Sequence, residues 1–175
     1  MIKLIVFLGN PGKEYANSRH NAGFILSSFL YPNVSWQSKF HSFYGLDSNL
    51  KLLKPLTMMN LSGNAVGECS AFFKIKAEEI LVVCDDMELA FGEAKLQRGG
   101  GGTKGHKGLR NIQERLKTED FYRLRIGIGR PKHQDVRLFV TSPFTKDEEI
   151  TLSNLFSLIK KDWPLAEKEK EWKVE

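Results

Sequence analysis

Residues 2 to 12 read IKLIVFLGNPG, an apolar run that ends in a glycine-bounded turn. Ile2 to Leu8 are mostly aliphatic or β-branched, which is typical of a strand buried on both faces of a sheet. The following Gly9-Asn10-Pro11-Gly12 favours a tight turn, because proline fixes φ and glycine tolerates unusual backbone angles. We therefore expect a central strand whose carboxyl end carries a polar loop.

Strand and helix patterns alternate along the rest of the chain. We predict helices at 22–31, 62–73, 109–116 and 147–163, strands at 80–84, 94–97 and 122–128, and a hairpin at 40–53 with its turn at 47–49. Ser62 is the expected N-cap of the second helix. The alternation predicts one domain over residues 1–175 with an α/β fold: a mixed, mostly parallel twisted sheet with helices on both faces.

The positive charge of the chain is concentrated in one segment. The formal net charge is +5, yet Lys95 to Arg137 contain 12 Lys or Arg against four Asp or Glu, so the remainder sums to −3. Within this segment Arg123 and Arg125 alternate with apolar residues, which predicts a strand whose basic face points at a partner or at water. Charge alone fits a nucleic-acid partner and a solvated surface equally well.

The cysteines and the apolar runs bear on the cellular compartment. Cys69 and Cys84 lie in apolar contexts without metal-ligand spacing, so we expect buried thiols and a reducing environment. The run at 2–8 is too short for a secretion signal, and no apolar run approaches the roughly 20 residues of a membrane span. These features predict a cytoplasmic protein without a membrane partner.

Two polar loops follow the predicted strands at 2–8 and 80–84. Catalytic groups of open α/β sheets gather at the carboxyl ends of strands, so His20 and Asp85 meet if these strands are neighbours. A carboxylate on one imidazole nitrogen makes the other nitrogen a base that can activate water. The alternative is that His20 is an ordinary loop residue and that Asp85 and Asp86 only cap a turn.

Neither a metal motif nor a nucleotide motif is complete. The other histidines, His41, His106 and His133, are scattered and lack the spacing of a zinc site, so we expect no metal. The run RGGGGTKGHKGLR at 98–110 lacks both the Walker spacing and the Rossmann glycine pattern. Its free backbone amides suit a phosphate beside a helix N-terminus, and a flexible surface loop explains the glycines as well.

Several blocks of the chain, in order and up to about Phe144, resemble bacterial peptidyl-tRNA hydrolases. The matching blocks are LGNPG (8–12) with Tyr15, RHNAG (19–23), MNLSG (59–63), DDMEL (85–89), GHKGLR (105–110) and FYRLRIGIGRP (121–131). Several ordered motifs are far more specific than any one of them. The resemblance implies hydrolysis of the ester between a peptide, or an N-blocked aminoacyl group, and the 3′ end of tRNA, without a cofactor.

The resemblance also implies a role for each matching catalytic residue. His20 would be the base and Asp85 the carboxylate that orients it. The amides of Asn10 and Asn60 would hold the peptide, the reacting water or the developing oxyanion. Water would attack the ester directly and pass its proton to His20, so no covalent enzyme intermediate is expected.

Other residues are expected to hold the tRNA. Tyr15 and Met58, beside Asn60, would receive its 3′ end by stacking, and Lys95, Arg98 and Arg125 would contact phosphates. Lys107 stands where the family's His-Asn-Gly-Leu block has asparagine, and there it would meet a phosphate as a point charge. Gln97 replaces a common lysine, and the glycine loop is one residue longer than usual.

Two rival functions are weighed against the hydrolase. Some relatives of this fold bind RNA without turnover, but RNA binding alone would not need His20, Asp85, Asn10 and Asn60 together. A nucleotide-dependent enzyme ranks last because the phosphate motifs are incomplete. We therefore expect a monomer that acts on peptidyl-tRNA and rejects a free α-ammonium group, which would place an unpaired cation near Asn10.

Overall fold

The computed structural model describes residues 1–165 and 167–175, which form one sheet with helices against both faces. These residues contain eight strands: β1 (Leu4–Phe7), β2 (Gln37–Lys39), β3 (Ser42–Asp47), β4 (Leu50–Pro55), β5 (Ile80–Asp86), β6 (Glu93–Arg98), β7 (Tyr122–Gly127) and β8 (Lys170–Lys173). They also contain five α-helices: α1 (Ala22–Leu30), α2 (Ser62–Phe73), α3 (Lys107–Leu116), α4 (Val136–Thr141) and α5 (Lys146–Lys161). The predicted α/β class is confirmed.

The sheet has a parallel centre and antiparallel flanks. Its strand order is β2-β3-β4-β1-β5-β7-β6-β8, and the four strands from β4 to β7 in that order are parallel. The strand β1 pairs directly with β5, with Val6 opposite Val82. The loops after these two strands therefore share one edge of the sheet, as the sequence predicts.

The central strands are buried on both faces, which explains their continuous apolar runs. Every residue of β1 and of Ile80–Cys84 is at most 1% exposed. Since side chains alternate between faces, Ile5 and Phe7 pack towards α1 and α5, whereas Leu4 and Val6 pack towards α2 and α3. Two apolar layers thus hold the central strands rigidly from opposite sides.

The prediction that the basic face of the strand at 122–128 points at a partner or at water is wrong. Arg123 and Arg125 are 0% and 2% exposed, so they point into the protein on the side of α2 and α3. Alternation in the sequence correctly predicts β7 and places both arginines on one face. It does not reveal that a loop covers that face.

Local departures from the predicted elements have simple causes. A 3-10 turn at Met59–Leu61 precedes α2, so Ser62 is the first residue of α2 rather than its N-cap. The Ser62 hydroxyl donates to the Met59 carbonyl at 2.8 Å instead of accepting from a backbone N–H at the start of the helix. The short α4 and the edge strand β8 were not predicted. In the described part of the chain, no helix has both the length and the apolar composition that crossing a bilayer requires.

Candidate active site

A cavity of about 630 Å³ lies at the edge of the sheet where the parallel strands end. Its walls come from the loops after β1 and β4, from the carboxyl end of β5, from β7, from the loop before α3 and from α4. The predicted site residues that line it are Asn10, Tyr15, His20, Met58, Asn60, Asp85, Lys107 and Arg125. Distant segments therefore converge on one cavity of a size that holds small organic groups.

His20 and Asp85 form a hydrogen bond inside this cavity. Nδ1 of His20 lies 2.8 Å from Oδ1 of Asp85, because β5 is adjacent to β1 and carries Asp85 near its carboxyl end, beside the loop that follows β1. An ionised carboxylate can only accept a hydrogen bond, so Nδ1 of His20 carries the proton and donates, and Nε2 is left as the basic nitrogen. The predicted meeting of the two residues is confirmed, and the catalytic role of the pair stays a prediction.

His106 is a third member of this cluster. Its Nε2 atom lies 2.9 Å from the same Oδ1 of Asp85, and its Nδ1 accepts a 3.2 Å hydrogen bond from the backbone N–H of Leu109. The Leu109 bond caps α3 and fixes the tautomer, since an accepting Nδ1 leaves Nε2 to donate. The sequence pattern, in which His106 is one of three scattered histidines, did not assign it to this site. Its place just before a helix that follows a glycine loop was the available signal.

The cluster keeps Asp85 ionised and makes His20 more basic. Burial raises the pKa of Asp85, but the charges and hydrogen bonds of His20 and His106 lower it by more, to well below its usual range. Burial lowers the pKa of His20, the charge and hydrogen bond of Asp85 raise it, and the charge of Lys107 lowers it; the net effect raises the pKa above its ordinary value. His20 is thus suited to accept a proton from water.

Asn10 is held so that its amide nitrogen remains available. Its backbone N–H donates to Oδ1 of Asn21 at 2.7 Å, and Nδ2 of Asn21 donates to the Asn10 carbonyl at 3.0 Å. Oδ1 of Asn10 accepts from the backbone N–H of Met59 at 2.7 Å. Because that oxygen is occupied, the NH₂ end is the one that can donate to a substrate carbonyl. Asn21 is a positioning residue that only its place next to His20 could have suggested.

The outer wall of the cavity combines an amide with adaptable apolar groups. Asn60 is exposed, Tyr15 is half-buried and Met58 is 45% exposed. Flat and polarisable side chains at this level can cover a nucleic-acid base or an apolar peptide group. The three residues line the same cavity, and their contact with the 3′ end stays a prediction.

The histidine–aspartate cluster also has the composition of a metal site. The ligand atoms of His20, Asp85 and His106 lie within 4.8 Å of one another. However, Oδ1 of Asp85 already accepts hydrogen bonds from both rings, so a metal ion would have to displace both protons. Hydrogen bonds satisfy the cluster, and metal independence stays a prediction.

Two of the predicted phosphate contacts lie outside the cavity lining and pair with carboxylates. Lys95 on β6 lies 3.7 Å from Glu171 on β8. Arg98 donates to both carboxylate oxygens of Asp120, at 2.7 and 2.9 Å. Such surface pairs contribute little to stability, so both cations can exchange their carboxylate for a phosphate at small cost.

Arg125, the third predicted phosphate contact, lies beneath the glycine loop at 99–102. Arg123 donates to the carbonyls of Gly100 and Gly102, and Arg125 donates to the carbonyl of Gly102 at 3.1 Å. The four glycines have φ between 53° and 69°, a left-handed turn that residues with a Cβ disfavour. Backbone shape therefore requires the glycines. The loop covers Arg125, and its contact with phosphate stays a prediction.

A groove of about 650 Å³ continues from the cavity along α3. Lys107, Arg110 and Lys117 line it together with one carboxylate, Glu114. The groove and the cavity share three residues before and at the start of α3: Thr103, Gly105 and Lys107. A positive surface thus extends outward from the histidine cluster, as a polyanionic ligand would require.

Comparisons with known proteins agree with this architecture. The sequence model of the family described as peptidyl-tRNA hydrolase matches residues 4–173. The chain is 47% identical to peptidyl-tRNA hydrolase of Treponema pallidum (strain Nichols) over 154 residues, covering 82% of this chain and 76% of the relative. It is 44% identical to that of Sulfurihydrogenibium sp. (strain YO3AOP1) over 164 residues, covering 90% and 86%.

A solved structure supports the same assignment. The crystal structure of peptidyl-tRNA hydrolase from Acinetobacter baumannii matches with a TM-score of 0.85 and 36% identity, covering 92% of this chain and 86% of that one. The fold, the order of the motifs and the sequence identity over most of the chain therefore all support one family assignment. This chain belongs to the peptidyl-tRNA hydrolase family.

Proposed function

We propose that this protein hydrolyses the ester bond between a peptide, or an N-blocked aminoacyl group, and the 3′ end of tRNA, and so recycles tRNA. The observation that carries the proposal is the 2.8 Å bond between His20 and Asp85, set in a cavity that Asn10 and Asn60 also line. A protein that only bound RNA would not need a polarised imidazole beside two amides. Membership of the family supports the same reaction.

The chemistry follows from the fixed tautomers. Nε2 of His20 takes a proton from a water molecule as that water attacks the ester carbonyl. Asp85 stabilises the imidazolium that forms, and the NH₂ group of Asn10 donates to the developing oxyanion. As the tetrahedral intermediate collapses, His20 returns the proton to the departing 3′ oxygen of tRNA. The products are a free peptide carboxylate and tRNA with an intact 3′ hydroxyl.

The tRNA is held by stacking and by charge. Tyr15, Met58 and Asn60 surround the terminal nucleotide, and Lys107 meets a phosphate at the mouth of the groove. Lys95 and Arg98 release their surface carboxylates to bind the acceptor stem. Arg125 supports the same surface through the carbonyl of Gly102. Phosphate contacts of this kind make binding weaken as salt is added.

The decisive experiment measures release of N-acetyl-phenylalanine from N-acetyl-phenylalanyl-tRNA at low salt. The wild-type protein should release it, and His20→Ala should lower kcat about a thousandfold or more while keeping the wild-type circular dichroism spectrum. The matched control is His133→Ala, which removes an exposed histidine outside the cavity lining and should retain full activity. Near-normal turnover by His20→Ala would refute the proposed role of this residue.

We further propose that the enzyme works in the cytoplasm as a monomer without a metal ion. Cys69 and Cys84 are free and buried, which suits a reducing compartment. A metal-independent enzyme keeps its rate after treatment with a chelator, and a monomer elutes at about 20 kDa with matching light scattering. Loss of activity on chelation, or a mass twice as large, would contradict these two points.

A further inference from the structure

Lys107 occupies the junction between the histidine cluster and the basic groove. It is the first residue of α3 and follows His106, whose ring bonds to Asp85. Its exposed side chain lines both the cavity and the groove. Its positive charge also acts on His20, since it lowers the pKa of that imidazole. Lys107 is thus close enough to the reacting groups to affect a charge placed among them.

No carboxylate in residues 1–165 and 167–175 forms an ion pair with Lys107. The carboxylates that line the cavity are engaged elsewhere. Asp85 binds two histidines, Asp86 accepts from the N–H of Glu88 and lies 3.7 Å from Arg125, and Asp135 caps α4. A second cation that entered the cavity would meet an ammonium group that no carboxylate in the described part of the chain pairs. Oδ2 of Asp86 accepts no hydrogen bond from those residues, but Nη1 of Arg125 lies 3.7 Å from it and already supplies a positive charge there.

In the proposed reaction, the α-nitrogen of the substrate enters the cavity that Lys107 lines. That nitrogen is bonded to the carbon next to the scissile carbonyl, so it must lie close to His20 when water attacks. In a peptidyl ester it is a neutral amide nitrogen. In an aminoacyl ester it is an amine that is largely protonated near neutral pH.

We propose that Lys107 is a specificity-determining residue, whose charge disfavours esters with an α-ammonium group and thereby spares aminoacyl-tRNA. This inference rests on the proposed function and adds to it a residue and a physical cause. Two like charges several ångströms apart in a partly desolvated site repel enough to change a rate by about tenfold. The effect is separate from any contact that Lys107 makes with phosphate, because both esters carry the same tRNA.

The test compares kcat/KM for N-acetyl-phenylalanyl-tRNA with kcat/KM for phenylalanyl-tRNA. Taking this ratio cancels changes in tRNA affinity that both substrates share. Lys107→Asn should lower the ratio about tenfold, whereas Lys107→Arg should keep it near the wild-type value because the charge is retained. The matched control is Lys117→Asn, which removes a lysine of the groove that does not line the cavity and should leave the ratio unchanged.

Salt gives an independent readout. The wild-type ratio should fall as salt rises, because the Debye length shrinks from about 30 Å at 0.01 M to about 3 Å at 1 M, and Lys107→Asn should lose this dependence. An unchanged ratio in Lys107→Asn, or an equal fall in Lys107→Arg, would overturn the inference. If the wild-type protein failed to cleave the N-acetylated ester, the proposed function itself would fail, which is a different outcome.

Discussion

Asp85 is the residue on which the proton chemistry of the cavity depends. Burial and Lys107 lower the pKa of His20, and the charge and hydrogen bond of Asp85 more than offset them, so the pKa is raised above its ordinary value. In Asp85→Asn only the lowering effects remain, so the pKa of His20 should fall below that ordinary value. The acidic limb of the kcat/KM profile should then move to lower pH, while kcat at pH 8 should drop by about 10² to 10⁴.

Two measurements separate the effect of Asp85 on the basicity of His20 from its effect on the orientation of the His20 ring. NMR titration of the His20 ring gives its pKa directly, and the pH–rate profile shows whether activity follows it. A limb that moved to higher pH, or a variant with the wild-type rate, would show that Asp85 does not support His20 as a base. The direction in which the acidic limb moves is informative, because a merely destabilised protein would lose activity at every pH without any shift of that limb.

His106 has two tasks that one pair of variants can distinguish. It donates to Asp85 and it caps α3 by accepting from Leu109. Asparagine is a good N-cap but too short to replace the bond to Asp85. His106→Asn should therefore keep its stability, whereas His106→Ala should lose about 1 kcal/mol in chemical denaturation. Both should lower kcat by about tenfold, and normal kcat in both would limit His106 to capping.

At the scale of elements, the glycine loop is held from within by buried arginines. Arg123 donates to the carbonyls of Gly100, Gly102 and Glu119, so it ties the loop to the segment before β7. Methionine at this position keeps the apolar volume but offers no donor. We predict that Arg123→Met accelerates amide hydrogen exchange across residues 99–105 at least about tenfold and lowers the free energy of unfolding by about 1–3 kcal/mol.

The control for this prediction is Arg98→Met. Arg98 directly precedes the same loop but pairs with Asp120 at the surface, so its loss should change stability much less than the loss of Arg123 does. Exchange in the loop should stay close to wild type. Equal acceleration in the two variants would show that the buried arginine does not hold the loop.

The same elements show where sequence patterns stop being informative. The apolar runs of β1 and β5 place apolar side chains on both faces of the sheet, so the burial of these strands can be predicted directly from the sequence. Alternation in β7 locates its arginines on one face, but only the tertiary fold shows that the glycine loop covers that face. The strand β8 is charged at three of its four positions, and Trp172 alone packs into the core. A sheet edge exposed to water needs no apolar pattern.

At the scale of the whole molecule, the site could be predicted as far as strand adjacency allowed. His20 and Asp85 are 65 residues apart in the chain, and one rule about strand ends brings them together. The site roles of His106 and Asn21 were not predicted from the sequence, because a hydrogen bond to a shared carboxylate or to a backbone amide leaves no periodic pattern in the sequence. The resemblance to known hydrolases supplied roles, but not the tautomers that the bonds impose.

The single domain expected over the whole chain is itself testable, because two apolar layers share the strands of one sheet. Leu155 of α5 and Ile112 of α3 are fully buried on opposite faces. Either substitution, Leu155→Ala or Ile112→Ala, should lower the free energy of unfolding by about 2–5 kcal/mol. Tryptophan fluorescence reports on the α5 side, since Trp36, Trp163 and Trp172 pack there. If the protein unfolds as one unit, Ile112→Ala must lower the fluorescence midpoint and the circular dichroism midpoint together. A fluorescence transition that ignored Ile112→Ala would mean that the two faces unfold separately.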